Sequence, residues 1–246
     1  MSVPTLFDIR VQPHTFDSLC EFLGAAVACA ETEQRGLEIL NVNAHAINLC
    51  FSNPRLYKIL LNAHQVFCDG EGVRMALAKR GHFLPHRITY ADWWPHLLNY
   101  LSKTGLRFFV YGAREQVLNQ AVIKMKENYT NLKLSGYCHG FVSKEEAIQK
   151  IRQSGAQVIL VCLGMPAQEF FIHEHKDVLP PAVWLSGGAA LDYYTGTSIR
   201  APAWFCERGL EWFWRLVCEP QRLFSRYVIG NPLFLWRTYR NIPPQL

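Results

Sequence analysis

Short apolar runs alternate with stretches of helical periodicity through most of this chain. The apolar runs predict strands at residues 37–42, 65–68, 107–111, 132–137, 157–163 and 183–185. Apolar positions three and four residues apart predict helices at residues 53–64, 71–80, 92–101, 114–128 and 166–176. A further helix is expected after Ser143, because Glu146 follows three residues later as the partner in a capping box.

The predicted strands carry apolar residues on both faces, and most are followed by a helix. This alternation predicts an α/β fold, a Rossmann-like and mainly parallel sheet with helices on both faces. We assign residues 1–199 to this core. Residues 200–246 contain no strand pattern, and Pro202 and Pro220 are placed to begin helices, so we expect a helical appendage there.

The composition and the distribution of charge indicate which partners the chain binds. The chain has 246 residues, half of them hydrophobic and 18% charged, which is typical of a globular protein with a sizeable core. Nearly all of the net charge of +5 comes from residues 200–246, which hold seven Arg, no Lys and three Glu. Four of the seven Trp lie there too. Basic and aromatic residues together suit a membrane surface, and also a diphosphate or a nucleic acid.

Cysteine usage and the distribution of apolar residues indicate a cytoplasmic protein. The eight Cys form no CxxC pair and several lie in apolar runs, so we interpret them as reduced core residues and expect no metal site. The first ten residues lack the pattern of a signal peptide. The longest apolar stretches, 22–30 and 227–236, are shorter than the ~18 residues that a membrane-spanning helix needs.

Small, polar or acidic residues follow the predicted strands, where parallel sheets bind their ligands. They are Asn41, Asn43, Asp69, Gly112, Gly164, Gln168, Glu169, Ser186, Gly187 and Gly188. The chain has no GxGxxG, no GxxxxGK[ST], no GxSxG and no Asp-x-Asp pair. These absences disfavour nicotinamide, P-loop, serine-hydrolase and metal–diphosphate readings.

The segment LGMPAQE, residues 163–169, has two interpretations. Gly164 allows the backbone to turn, Pro166 can start a helix, and Gln168 and Glu169 fall in its first turn near unpaired N–H groups. Such a position binds anions or hydroxyl-rich ligands. An ordinary helix start with an acidic first turn is the other interpretation.

Two other strand ends are equally open to two interpretations. Asp69-Gly70 is either a turn or a strand-end carboxylate available as a general base. Gly187-Gly188 is either an anion-binding nest or the product of tight strand–helix packing. His45 lies near the proposed site on the helix expected after Asn43, although scattered histidines are more often structural.

Eight segments between about residues 37 and 226 resemble the WecG/TagA/CpsF glycosyltransferase family. They are LNVNAHAIN, VFCDGEGVRMA, HRITYADWW, FFVYGAREQV, VILVCLGMPAQEFF, WLSGGAALDYYTG, RAPAW and GLEWFWRLVCEPQRL. Their order and spacing make the resemblance much more specific than any single motif.

The resemblance implies an inverting, metal-independent glycosyltransferase that needs no cofactor. It implies transfer of a hexose or N-acetylhexosamine from a UDP-sugar to a polyprenyl-diphosphate-linked sugar, in cell-surface or exopolysaccharide biosynthesis. It also implies a catalytic core at residues 1–199 and a membrane- and acceptor-binding appendage at 200–246. The enzyme would be cytoplasmic and peripherally associated with the inner face of the bacterial membrane. We expect no nucleic-acid partner, and a homo-oligomer is possible.

The resemblance also implies roles for individual residues. Asp69 matches the family's general base. The donor-binding set comprises Asn41, Asn43, Arg87, Gly112, Gln168, Gly187 and Asp192. Within it, Arg87 would stabilise the departing diphosphate, Gln168 would face the donor pocket and Asp192 would contact the nucleoside. The acceptor and membrane set comprises Arg200, Arg215, Arg222 and Arg226.

The chain departs from the family pattern at three positions. Members often have a basic residue three positions after Arg222, where this chain has Ser225 followed by Arg226. A shift of one residue rotates a helical side chain by ~100°, which predicts a different surface for Arg226, such as lipid head groups. His45 and Asn41 replace residues that are often Glu and Thr, so the donor sugar is left open between neutral and acidic hexoses.

Two other classes of function compete with the transferase. A Rossmann-type oxidoreductase or other nucleotide enzyme predicts a glycine fingerprint after the first strand, but Asn41-Val-Asn43-Ala44 stands there. A non-catalytic partner in polysaccharide assembly at the membrane predicts loss of the strand-end carboxylate, but Asp69 is present.

Overall fold

The structure is a computed structural model that describes residues 3–245. The chain divides into two units. The first, which we call the sheet unit, comprises His14–Leu40 and Tyr90–Thr197. The second, which we call the tail unit, comprises the described residues of Met1–Pro13, Asn41–Thr89 and Ser198–Leu246.

Eight strands and thirteen α-helices are formed by the described residues. The strands are β1 (Thr5–Leu6), β2 (Ile9–Arg10), β3 (Leu37–Val42), β4 (Gln65–Cys68), β5 (Phe108–Gly112), β6 (Leu134–Cys138), β7 (Val158–Cys162) and β8 (Val183–Ser186). The first nine helices are α1 (Phe16–Glu33), α2 (Ala44–Ser52), α3 (Pro54–Asn62), α4 (Glu71–Lys79), α5 (Tyr90–Thr104), α6 (Glu115–Asn128), α7 (Lys144–Ser154), α8 (Ala167–His175) and α9 (Ala190–Thr195). The last four are α10 (Ala203–Glu207), α11 (Glu211–Cys218), α12 (Pro220–Phe224) and α13 (Gly230–Arg240), with a π-helical turn at Ser225–Ile229.

Six of the strands form one sheet, in the order β4-β3-β8-β7-β5-β6. The pairs β3–β8, β8–β7, β7–β5 and β5–β6 are parallel, and β1 and β2 form a separate antiparallel hairpin. Helices flank the sheet. The predicted class, an α/β fold with a mainly parallel Rossmann-like sheet and C-terminal helices, is confirmed.

Local sequence explains where the main elements begin and end. Every residue of β7 is buried, as its unbroken apolar run requires in a sheet that is covered by helices. The side chain of Thr15 caps α1 and Ser18 completes a capping box, while Gln34 ends the helix in the left-handed conformation. Ser143 caps α7 as expected, by accepting a hydrogen bond from the backbone N–H of Glu146.

The sequence pattern left the chain before residue 37 without any element, and the structure fills it with the β1–β2 hairpin and α1. Helix α5 is also longer at both ends than the prediction for 92–101. In the tail, Pro220 occupies the first turn of α12 and Pro202 is the N-cap of α10, as expected. No helix within residues 3–245 is long and apolar enough to cross a membrane. All eight cysteines are free thiols.

Glu38 is a buried carboxyl in the interior of β3. Its side chain is 2% exposed, and Oε2 has no hydrogen-bond partner among the described residues. Burial raises the pKa of Glu38 to about 7, and the nearby positive charge of Lys176 opposes the rise. Ionisation of Glu38 therefore destabilises the folded state at neutral pH.

Replacement of Glu38 by Gln is expected to make stability less sensitive to pH. The pKa of Glu38 is raised on folding, so its stabilising contribution is complete below about pH 4.5 and is lost as the pH rises through about 7. Urea unfolding at pH 5 and pH 8 gives the loss in free energy of unfolding between the two pH values. Glu38→Gln should reduce this loss by no more than roughly 3 kcal/mol. An unchanged pH dependence in the variant would contradict this assignment.

Candidate active site

In the tail unit, the carboxyl ends of β3 and β4 bring Asn41, Asn43 and Asp69 together. Asn41 Nδ2 donates a hydrogen bond to Asp69 Oδ2 at 2.8 Å, and Asn43 Nδ2 donates to the same oxygen at 3.1 Å. The backbone N–H of Asp69 donates to the carbonyl of Val42 at 2.9 Å, which holds the two strand ends side by side. The other carboxylate oxygen, Oδ1, has no hydrogen bond from the described residues. The sequence placed these three residues at one site, and the structure joins them.

Asn43 makes a second hydrogen bond, which fixes the orientation of its side-chain amide. Its Oδ1 accepts a hydrogen bond from the backbone N–H of Ala46 at 3.0 Å, so Asn43 is also the N-cap of α2. Because the oxygen of the amide is committed to the helix, the NH₂ group faces Asp69. The start of α2 and the orientation of the carboxylate are therefore set by one side chain.

The pKa of Asp69 is set by opposing effects. Burial raises the pKa, whereas the hydrogen bond from Asn43, the positive charge of Arg226, the hydrogen bond from Asn41 and the charge of Arg215 lower it. The net direction is upward. A carboxylate whose pKa is raised is a stronger base than an exposed aspartate, which suits removal of a proton from a hydroxyl group.

His45 lies in the first turn of α2 as a neutral imidazole. Burial, together with a smaller effect of the positive charge of Arg226, lowers its pKa to about 4. At neutral pH this position therefore carries no charge.

Arg87 lies on an extended segment beside β4. The backbone N–H of Ile88, the next residue, donates to the carbonyl of Cys68 at 3.0 Å, which brings this segment alongside the strand end that precedes Asp69. The guanidinium of Arg87 forms an ion pair with Glu211 of α11 at 3.5 Å, and both side chains are largely buried. In this structure the partner of Arg87 is thus a carboxylate of the tail, and its contact with the donor diphosphate stays a prediction.

Helix α11 presents charged residues inward and apolar residues outward. Glu211 and Arg215 are four residues apart on one face, where Glu211 pairs with Arg87 and the charge of Arg215 acts on Asp69. Trp212, Phe213 and Val217 are exposed. This arrangement reverses the usual pattern of a surface helix, which buries its apolar face.

Arg226 lies in the π-helical turn Ser225–Ile229, where the backbone N–H of Gly230 donates to the carbonyl of Ser225. Its positive charge contributes to lowering the pKa of both Asp69 and His45. Contact of Arg226 with the acceptor or with lipid head groups stays a prediction.

The other two basic residues that the sequence singled out in the tail have different surroundings. Arg222 pairs with Glu219 at 2.6 Å, and its side chain is 60% exposed. Arg200 is exposed in the segment that follows α9. Neither contributes to the pKa of Asp69. Both stay predicted contacts to the acceptor or the membrane.

In the sheet unit, Gln168 is buried rather than exposed to a pocket. Its Oε1 accepts a hydrogen bond from the backbone N–H of Gly188 at 2.9 Å, and its Nε2 donates to Glu169 Oε1 at 2.8 Å. Both side chains are at most 1% exposed. Both interpretations of LGMPAQE place Glu169 in the first turn of a helix, and it lies in the first turn of α8.

Packing accounts for two glycines that the sequence assigned to donor binding. A Cβ at Gly112 would lie 2.4 Å from the carbonyl oxygen of Cys162 on the neighbouring strand. A Cβ at Gly187 would lie 2.6 Å from Cys162 Sγ and 2.8 Å from Leu160 Cδ1. Gly188 differs, because its φ of +55° requires glycine while the space around its Cα is open. Open space therefore lies at Gly188, and the donor-binding role of Gly187 stays a prediction.

Asp192 lies in the first turn of α9, directly after this glycine turn. Its negative charge contributes to raising the pKa of Cys162, the last residue of β7. The carboxylate of Asp192 is therefore held near the carboxyl end of the sheet, where parallel sheets bind ligands.

Sequence reasoning missed Glu211 and Asn48. Asn48 Nδ2 donates to the carbonyl of Gly230 at 2.6 Å, and Arg237 Nη1 donates to Asn48 Oδ1 at 2.8 Å, so Asn48 ties α2 to the start of α13. Asn48 is the last residue of the quoted segment LNVNAHAIN, and Glu211 lies in GLEWFWRLVCEPQRL. The only signal in the sequence was their place in these motifs, since their partners are up to about 190 residues away.

Within residues 3–245 we find no group of three or more His, Cys, Asp or Glu side chains that could hold a metal ion. In the tail unit, the positive charges that act on Asp69 are those of Arg226 and Arg215. A buried carboxylate beside Arg side chains, at the end of a parallel sheet, suits proton removal next to an anionic leaving group. This arrangement defines a class of enzyme, the group transferases.

Comparison with known proteins identifies the particular family. The profile of the family described as "Glycosyl transferase WecG/TagA/CpsF family" matches residues 4–245. The chain therefore belongs to the WecG/TagA/CpsF family of glycosyltransferases, which confirms the resemblance carried by its motifs. It is a glycosyltransferase.

Two relatives share much of the chain. The chain is 30% identical over 223 residues to the N-acetylglucosaminyldiphosphoundecaprenol N-acetyl-beta-D-mannosaminyltransferase of Bacillus subtilis (strain 168), an alignment that covers 90% of this chain and 86% of the relative. It is 32% identical over 191 residues to the protein of the same name from Bacillus spizizenii, covering 77% of this chain and 74% of the relative.

Replacement of Arg226 by Gln is expected to raise the pKa of Asp69 further, because a positive charge that favours the carboxylate is removed. A titration of the Asp69 side-chain carbon by NMR measures the change. Arg215→Gln should raise the pKa by less, since its charge is the weaker influence. Arg222→Gln is the matched control, because Arg222 is exposed and pairs with Glu219. An equal rise in the Arg222 variant would contradict the position given to Arg226.

Proposed function

We propose that this protein transfers a hexose or N-acetylhexosamine from a UDP-sugar to a sugar on a polyprenyl diphosphate, with inversion and without a metal ion. The observation that carries the proposal is Asp69, held by Asn41 and Asn43 and influenced by Arg215 and Arg226. The names of the two relatives, which act on N-acetylglucosaminyldiphosphoundecaprenol, support an acceptor of this chemistry.

Asp69 acts as the general base. Its free oxygen Oδ1 takes the proton of the acceptor hydroxyl while that oxygen attacks the anomeric carbon from the face opposite UDP. The bond from the anomeric carbon to the diphosphate oxygen breaks, and UDP leaves with the electron pair. A base placed in this way contributes typically ~10²–10⁴-fold to the rate.

Arg87 supplies the positive charge that the departing diphosphate needs in the absence of a metal. In this structure its guanidinium pairs with Glu211. A guanidinium has five N–H donors, so Arg87 can exchange or share this partner when a diphosphate binds. Gln168, Gly187 and Asp192 stay proposed donor-binding residues of the sheet unit, with Asp192 on the nucleoside.

The neutral imidazole of His45 bears on the choice of donor. With the carboxylate of other family members replaced by an uncharged group, the surroundings of Asp69 carry a larger excess of positive charge. The proposed donor is nevertheless a neutral hexose or N-acetylhexosamine, since both relatives are named for N-acetylmannosaminyl transfer. A uronic acid donor is the alternative that the assay below includes.

A panel of UDP-sugars tests the reaction. Purified protein is incubated with each donor and a short polyprenyl-diphosphate-linked N-acetylglucosamine, with and without EDTA, and product and UDP are quantified by mass spectrometry. We expect transfer from one donor that EDTA does not reduce. Asp69→Asn should lower kcat by ~10²-fold or more while leaving UDP binding in place, because the base is lost and the shape is kept.

NMR of the anomeric centre in the product decides between inversion and retention. Transfer that EDTA abolishes would contradict the metal-free mechanism. Full activity in Asp69→Asn would remove the proposed base.

We further propose that the tail, residues 200–246, docks on the cytoplasmic face of the bacterial membrane as a peripheral appendage and binds the acceptor there. Most of the large hydrophobic side chains exposed within residues 3–245 belong to it. They include Trp212, Phe213 and Val217 on α11 and, on α13, the i, i+1, i+4 set Leu235, Trp236 and Tyr239. Exposed apolar faces bordered by Arg match the interface of an anionic bilayer.

Replacement of Trp212 and Phe213 by Ser is expected to weaken binding to anionic vesicles by about tenfold or more, since each aromatic ring buries apolar area in the interface. Co-flotation with phosphatidylglycerol vesicles measures binding. Phe141→Ser is the matched control, because Phe141 is equally aromatic and 77% exposed but lies in the sheet unit. High salt should also weaken wild-type binding. Undiminished vesicle binding by the double variant would refute docking through α11.

A further inference from the structure

Glu169 is a buried acid in the sheet unit to which the reaction proposed above gives no role. Its side chain is 1% exposed and its Oε1 accepts the hydrogen bond from Gln168 Nε2 at 2.8 Å. Its Oε2 is buried and has no partner among the described residues. Burial raises the pKa of Glu169 to about 7. A buried acid with one unsatisfied oxygen destabilises the folded state, which points to a functional role.

The contact of Glu169 decides which way the amide of Gln168 points. A carboxylate oxygen that accepts a hydrogen bond requires the NH₂ group of Gln168 to face it. The amide oxygen of Gln168 then faces Gly188, whose backbone N–H donates to it at 2.9 Å. In a flipped amide, the NH₂ group of Gln168 would face the N–H of Gly188, and its oxygen would face Glu169 Oε1. Both buried hydrogen bonds would be lost.

The amide in turn fixes the glycine turn between β8 and α9. Gly187 is held by close packing on Leu160 and Cys162, so the turn cannot shift toward β7 there. Gly188 has no neighbour within 4 Å of a Cβ position, and its φ is +55°. The hydrogen bond to Gln168 is therefore the contact that holds the more open half of the turn. Asp192 follows this turn in the first turn of α9.

We propose that Glu169 is a positioning residue for the donor: it orients the Gln168 amide, which holds Gly188 N–H and so fixes the turn that leads to Asp192 and the nucleoside of the UDP-sugar. This inference rests on the proposed function for its ligand. Glu169 does not touch the donor in this account. It acts through Gln168.

The test compares Glu169→Met with Glu169→Gln. Methionine has a similar length but offers no strong acceptor to Gln168, whereas glutamine offers an amide oxygen. We expect Glu169→Met to weaken UDP binding by calorimetry about tenfold and to raise KM for the donor to a similar extent, with little change in KM for the acceptor. Glu169→Gln should restore most of the affinity. Hydrogen exchange at the Gly188 amide should be faster in Glu169→Met than in the wild type.

Glu38→Met is the matched control, because Glu38 is also a buried Glu of the sheet unit with an unpartnered Oε2. It should alter stability without altering UDP affinity or exchange at Gly188. Wild-type exchange at Gly188 and wild-type UDP affinity in Glu169→Met would overturn the proposal, as would an equal loss in Glu38→Met. If Glu169→Met does not fold, Gln168→Met removes the same contact with Gly188, and hydrogen exchange at the Gly188 amide, which needs no donor, is the deciding measurement. Wild-type exchange in that variant would overturn the proposal.

Failure of the proposed function gives a different pattern. A wild-type protein that binds neither UDP nor any UDP-sugar overturns the donor role together with the proposed function. Exchange at Gly188 needs no ligand, so it still decides whether Glu169 holds the turn.

Discussion

The two hydrogen bonds that Asn41 and Asn43 donate to one oxygen of Asp69 are the constraint on which the rest of the site depends. They hold a buried carboxylate in one orientation and leave its other oxygen for a proton. They also moderate the rise in pKa that burial alone would cause, so that the acid can lose its proton and act as a base. A bare strand-end aspartate at the same depth would have neither property.

This constraint reaches the tail through α2. Asn43 binds Asp69 and caps the first turn of α2, and Asn48 on the same helix holds Gly230 and Arg237 of α13. The π-helical turn Ser225–Ile229, directly before α13, carries Arg226, whose charge acts on Asp69. Displacement of α13 would thus change the electrostatics of the base. On α11, Glu211 and Arg215 face the charged groups of the tail unit while Trp212, Phe213 and Val217 are exposed. Such a helix suits an apolar environment on its outer side.

Local patterns in the sequence predicted most of the fold. The strand β7 and the capped helix α7 follow from an apolar run and from Ser143, and β3 and β4 have the bounds that their apolar runs predicted. Helix α1 was not predicted, although Leu19, Leu23 and Val27 recur at helical spacing on its buried face. The other half of that face is small, Cys20, Ala26 and Ala30, which weakens the contrast between its two faces.

The candidate site was predictable only as far as strand ends and motifs reach. Asn41, Asn43 and Asp69 could be joined in advance because parallel strands end at one edge of a sheet. The pairing of Arg87 with Glu211 depends on how the tail folds, over more than 120 residues of sequence separation, and no local pattern encodes it. The π-helical turn that carries Arg226 also has no obvious signal in the sequence, so the effect of its charge on Asp69 could not be predicted.

The central claim is that Asp69 is the base whose ionisation limits the reaction at low pH. The most direct test is the pH dependence of kcat/KM beside the pKa of Asp69 measured by NMR in the same free protein. We expect the acidic limb of the profile to have the same pKa as Asp69, above the value of an exposed aspartate. In Arg226→Gln, both the limb and the pKa of Asp69 should move together. An acidic limb that differs from the pKa of Asp69, or that stays fixed when Arg226 is replaced, would contradict this claim.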